Sequence, residues 1–114
     1  MNLKLATPIL PQTIVPGEVF VIDFHVHEVG GSNFNWTGYT PKCKVTVGSV
    51  TVNVTGTVVS AGGGTATVSL AASDTDDLPT NSWGEAILYA DPTASTANLH
   101  IATIFLRTTK EVIP

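Results

Sequence analysis

Charge is scarce in this chain. Asp, Glu, Lys and Arg together make up 12% of its 114 residues, against roughly 25% in an ordinary soluble domain. Only five residues are Lys or Arg, against nine Asp and Glu, for a formal net charge of −4. A phosphate backbone needs a basic footprint, so this balance excludes nucleic acid from the expected ligands. Cysteine is nearly absent as well: Cys43 stands alone, cannot form an internal disulfide, and leaves packing as the source of stability. No His or Asp lies beside it in sequence to make it a nucleophile. Long apolar runs are missing too. The best of them is interrupted by Asp23, His25 and His27, far short of the roughly 18 residues of a membrane helix. Pro8, Pro11 and Pro16 break up the N-terminal apolar residues, and no signal peptide is expected.

Helix-period apolar spacing is lacking beyond about one turn, whereas two-residue alternation recurs. Phe20, Ile22, Phe24 and Val26 point one way and Val19, Asp23, His25 and His27 the other. The same beat returns at Val50, Val52 and Val54, and at Ala66, Val68 and Leu70. This is the pattern of strands with one face on a core and the other free. One all-β domain follows, long enough to bury a core without staples. Because 43% of residues are hydrophobic and few are charged, part of the surface is expected to be covered by other chains.

Residues 1–16 combine three prolines with Leu3, Leu5, Ile9, Leu10, Ile14 and Val15. Proline cannot donate to a ladder, so this stretch reads as an edge strand or an extended arm. The division expected is an arm over residues 1–11, a sandwich over 12–109 and a tail over 110–114, with the first strand at about Gln12 to Val15. Pro16 and Gly17 form a turn before the strand at residues 18–28. In the loop that follows, Phe34 and Trp36 either plug the end of the sandwich or project toward a partner. Tyr39 to Val47 is the next strand; Gly48 and Ser49 suit a tight hairpin, Gly accepting positive φ without steric cost. The strand after it runs from Val50 to about Val59, with Gly56 as a bulge or bend. Gly62, Gly63 and Gly64 turn the chain into Thr65 to Ala71.

Ser73, Asp74, Thr75 and Asp76 read as a capping box for a single helical turn near residues 74–79. The acids Asp74, Asp76 and Asp77 lack the Gly and bidentate Glu of a calcium loop. Trp83 to Ala90 and Asn98 to Arg107 are the last strands. The final one, apolar on both faces with Leu99, Ile101 and Phe105 opposed to Ala102, Ile104 and Leu106, should lie centrally or under a neighbouring subunit.

Taken in order, a Gly17–Glu18 turn before a long alternating strand is followed by Trp36-Thr37-Gly38-Tyr39 opening the next. A Gly-marked hairpin, a short turn with Thr75 and Leu78, an aromatic-led strand and a final apolar strand ending in threonines complete the series. This series resembles the immunoglobulin-like N-terminal domain of phage baseplate upper proteins and related small phage tail and fibre-adaptor proteins. The family usually has Gly-Asp where this chain has Gly17 and Glu18. The resemblance implies an immunoglobulin-like antiparallel β-sandwich of about seven to eight strands. It also implies a virion building block without catalytic residues or cofactor, assembling with other phage virion proteins and with copies of itself in a symmetric assembly. Tail or baseplate component, fibre adaptor and capsid decoration all remain open.

The surfaces expected to touch partners are Leu3, Leu5, Ile9 and Leu10 in the arm, Phe34 and Trp36 in the loop, and Val112 and Ile113 in the tail. Two other classes stand beside this reading. His25 and His27, two apart on one strand face, with His100 on a possible neighbouring strand, have imidazole spacing that can share a metal; outward polar positions on a half-exposed strand are the simpler account. Phe34, Trp36 and Trp83 would be the stacking platforms of a glycan-binding or adhesion module.

Overall fold

The computed structural model describes residues 2–93 and 97–109. Nine strands and one short helix follow in order: β1 (Leu3–Leu5), β2 (Gln12–Ile14), β3 (Phe20–Glu28), β4 (Tyr39–Val47), β5 (Val50–Thr55), β6 (Thr57–Ser60), β7 (Thr65–Leu70), α1 (Ala72–Asp76), β8 (Trp83–Pro92) and β9 (Leu99–Thr108). They form two sheets, β1-β3-β7-β6 and β2-β9-β8-β4-β5. Lettered in chain order, these are the A-B-E-D and G-F-C orders of an immunoglobulin-type sandwich, with an extra strand at each edge of the second sheet.

The alternation seen in the sequence fixes which side chains meet between the sheets. Ile22, Phe24 and Val26 of β3, Ala66, Val68 and Leu70 of β7, Cys43, Val45 and Val47 of β4, and Ala86, Leu88 and Ala90 of β8 all face inward and are buried. Each of the larger aliphatic and aromatic side chains among them contributes about 1.5–3 kcal/mol by leaving water. The β4–β5 hairpin closes at Val47 opposite Val50, with Gly48 at φ +59°, as the Gly-Ser dipeptide requires.

Several expectations are corrected. The sheets are not wholly antiparallel, because β2 runs parallel to β9 (Gln12 opposite Leu106, Ile14 opposite Thr108). Nine strands replace about seven to eight because two segments split. Between β1 and β2 the N-terminal stretch carries Pro8 and Pro11, which cannot donate to a ladder; β1 joins β3 in one sheet and β2 joins β9 in the other. Thus residues 3–5 are a strand of the domain rather than part of a free arm. Gly56 splits the other segment: β5 pairs with β4, and β6, one residue later, pairs with β7 in the facing sheet.

The helical turn lies at Ala72–Asp76, earlier than residues 74–79. Its capping acid is Asp74, whose carboxylate accepts from the Ala71 N–H at 3.3 Å; Ser73 and Asp76 lie within the helix and form no box. In β9 the register slips, Leu88 opposing Ala102 while Tyr89 opposes His100. Ile101 is therefore an extra residue, and the bulge puts Ile101, Ile104 and Leu106 on the core while Phe105 points to solvent. Two buried hydroxyls tie down the corner before β8. Thr75 Oγ1 accepts from Gly17 N–H (3.1 Å) and donates to the Glu18 carbonyl (2.7 Å). Thr108 Oγ1 accepts from Ser82 N–H (2.9 Å) and donates to the Pro79 carbonyl.

Candidate docking surface

The three histidines do not converge. His25 and His27 sit on the outer side of β3 with rings 4.7 Å apart and nearly perpendicular, and His25 Nε2 bonds the Asn33 side-chain oxygen at 2.8 Å. His100 is on β9, in the opposite sheet, where its Nε2 meets Thr103 Oγ1 at 3.1 Å. The expectation that β9 neighbours β3 is thus corrected: alternation assigns a residue to a face, whereas the sheet is chosen by pairing. Among the described residues no three His, Cys, Asp or Glu side chains gather as a metal site.

Phe34 and Trp36 point inward. Both are about 1% exposed, anchored by Phe34 N–H to the Val26 carbonyl (2.9 Å) and Trp36 N–H to the Ala61 carbonyl (3.1 Å). The Trp36 ring is met edge-to-face by Phe24 at 6.1 Å and by Phe34 at 5.0 Å, and Tyr39 meets Phe34 in the same edge-to-face manner at 5.0 Å. These aromatics close one end of the core and leave no face for a partner or a sugar, which corrects their candidacy as docking and stacking residues. Trp36 Nε1 is buried there with no hydrogen-bond partner among the described residues.

Of the four N-terminal candidates, Leu3 is buried, Leu5 and Ile9 are half-buried against the core, and only Leu10 is well exposed, at 76%. Leu3 therefore serves the sandwich, so deleting residues 1–11 removes a strand and cannot isolate docking. Val112 and Ile113 lie outside the described residues. A groove of about 440 Å³ runs from Pro8 and Ile9 past Asp23 and His25 to Val59 and Thr65.

Cys43 is buried in β4, and desolvation pushes its thiol from 9.0 up to about 12. The unfolded chain ionises first, so the thiol's contribution to stability is complete below about pH 9 and declines as pH rises toward 12. Two results are expected. Thiol reagents leave the native protein unmodified at pH 8 but react on unfolding, and Cys43→Ala flattens part of the loss of stability above pH 9. Denaturant titrations of both proteins across that range measure the difference.

A candidate docking surface outside the expected partner residues lies on the outer face of the five-stranded sheet. Trp83 and Phe105 are exposed by 72% and 65%. Trp83 opposes Arg107 and Glu85 opposes Phe105 across the β8–β9 ladder, so the two aromatics are diagonal neighbours on one face. The Arg107 guanidinium lies 5.5 Å from the Trp83 ring centre. With Thr46, Gly48, Gly84 and Glu85 the two aromatics line an open cleft of about 430 Å³. Trp and Arg around an apolar centre are the residue types that dominate protein–protein binding energy. Trp83 is legible at the head of its strand; Phe105 is legible only as one of the apolar residues of a strand apolar on both faces, and its pairing with Leu99 and Ile101 is undone by the β9 bulge.

The two sheets and the core between them make the chain an all-β sandwich whose strand order matches that of immunoglobulin-type domains. Its fold is similar to that of the N-terminal domain of phage TP901-1 ORF48, with a TM-score of 0.58 and 14% identity over 97% of this chain and 95% of that one. No family model and no curated protein matches the sequence.

Proposed function

We propose that this chain is a non-enzymatic structural component of a bacteriophage particle, acting in the tail, baseplate or fibre attachment by binding other particle proteins. The observation that carries the reading is the end-to-end correspondence of its fold with a phage protein domain. A sparsely charged exterior and the exposed Trp83–Phe105–Arg107 patch support assembly as the mode of action. The glycan-binding alternative loses two of its three platforms, since Phe34 and Trp36 are buried.

Purified particles of the phage that carries the gene should contain the chain at a fixed copy number, with antibody labelling at the tail end. Absence from the particle overturns the reading, and labelling over the capsid replaces the tail assignment by decoration. The docking patch has its own test. Trp83→Ala, at an exposed position, is expected to change folding stability by less than about 0.5 kcal/mol. It should nevertheless weaken incorporation in competition with wild type by about tenfold or more, as loss of an interfacial Trp does. Equal incorporation of the two proteins would remove the patch from the interface.

A further inference from the structure

One edge of the larger sheet is unguarded. From Val45 to Ser73 there is no Asp, Glu, Lys or Arg, and this stretch supplies both β5 and β6, the strands at one side of the two sheets. Natural edges are blunted by charge, proline, bulges or shortness. The other edges follow that rule: β1 and β2 have three residues each, and β6 carries an irregularity between Val58 and Ser60. β5 has six residues in unbroken register with β4 and none of these protections.

The sequence of that edge is a palindrome. Thr51-Val52-Asn53-Val54-Thr55 reads the same in both directions about Asn53. An antiparallel pair of two identical strands centred there puts Thr51 opposite Thr55, Val52 opposite Val54 and Asn53 opposite itself. Thr–Thr and β-branched pairs of this kind stabilise a ladder. The backbone has the matching phase. The two-residue turn makes Val47 and Val50 a hydrogen-bonded pair, so even-numbered residues of the strand address β4, and Gly56 N–H, also even, bonds the Pro41 carbonyl at 2.8 Å. The N–H and C=O groups of Thr51, Asn53 and Thr55 therefore face the open edge, and these residues are exposed. A self-pair brings like charges together at its centre, a cost that an edge without charge avoids. Since the chain as a whole carries −4, this uncharged margin is where two copies meet without repulsion.

We propose that β5 pairs antiparallel with β5 of a second copy of this chain about a two-fold axis at Asn53, joining the two larger sheets into one. This isologous contact is separate from the Trp83 patch and independent of the particle assignment.

Cysteine at the axis tests it directly. Hydrogen-bonded antiparallel partners lie about 5.5 Å apart between Cα atoms, within disulfide range, and the buried Cys43 does not compete. Under mild oxidation at micromolar concentration, Asn53→Cys is expected to form a covalent dimer at least about tenfold faster than Ser69→Cys, an exposed control position on an inner strand. In sedimentation velocity, Asn53→Asp should weaken the wild-type dimer by about tenfold or more by opposing two like charges at the axis, while its carboxylate, opposite Lys44 within the chain, leaves the melting transition no lower than that of wild type. The proposal is overturned if wild type stays monomeric at millimolar concentration, if the two cysteine variants cross-link at equal rates, or if Asn53→Asp leaves the dimer intact.

Discussion

Replacing Trp36 by alanine is expected to lower the folding free energy by about 3–5 kcal/mol, the cost of deleting a large buried aromatic. The ring is about 1% exposed and is the piece against which Phe24 and Phe34 set their edges, at 6.1 and 5.0 Å. Its removal therefore leaves a cavity bounded by rings that lose partners on one side. Those rings are held from different elements: Phe24 by β3, and Phe34 by its bond to Val26. Neither can move into the space without breaking a ladder. A domain of this size holds about 5–15 kcal/mol in total, so the variant should be marginal or unfolded at 37 °C.

Trp36→Phe separates packing from hydrogen bonding. The indole N–H has no partner among the described residues. Losing it forfeits no bond and relieves a buried donor, whose desolvation costs about 1–3 kcal/mol. The phenylalanine variant should thus lose far less than alanine, about 1 kcal/mol or under, the smaller ring offset by the absent donor. Urea denaturation followed by far-ultraviolet circular dichroism reports both. A wild-type midpoint for Trp36→Ala would show that the ring does not belong to the core; equal losses for the two variants would show a bonded indole.

The parts of this fold legible in the sequence are those where a single strand carries its own pattern. Phe20 to Val26 announced β3, and Gly48-Ser49 between two β-branched runs announced the β4–β5 hairpin, because both signals are local. What escaped depends on which strand lies beside which. His100 was grouped with His25 and His27 because all are outward polar residues, but alternation is blind to the sheet a strand joins. Strict alternation groups Phe105 with Leu99 and Ile101, but one bulge residue, Ile101, shifts the parity of everything after it, so Phe105 turns outward while Ile101 stays on the core. The N-terminal stretch was read as an arm because prolines break it. Prolines also mark the place where a chain leaves one sheet for another, and only the pairing of Leu3 with Glu28 and Gln12 with Leu106 distinguishes these cases. The docking patch and the β5 edge share this dependence, since solvent exposure is a property of the assembled sandwich.

Gly56 shows how a locally visible residue has a consequence fixed by its surroundings. It is the single residue between β5 and β6, where the chain passes from one sheet to the other. A Cβ at this position would overlap the Thr67 carbonyl oxygen and lie 2.6 Å from Val68 Cγ1. The oxygen belongs to the backbone of β7, which is paired on both sides with β3 and β6, so it cannot swing aside as a side-chain tip would. Gly56→Ala therefore has to move the crossover away from β7, straining the bond from Gly56 N–H to the Pro41 carbonyl. The expected loss is about 1–3 kcal/mol for alanine, the range of overpacked cores, and more for valine. Gly62→Ala is the matched control: nothing lies within 4 Å of its Cβ and its φ is not in the left-handed region. There the smaller entropy of the unfolded chain should make alanine neutral or stabilising by up to about 1 kcal/mol. Thermal melts should then separate the two variants by several degrees in opposite directions from wild type, at about 4 °C per kcal/mol for a domain of this length. Gly56→Ala melting with wild type would mean that the strand crossover has room to spare, and the close approach of the two sheets at Thr67 would have to be abandoned.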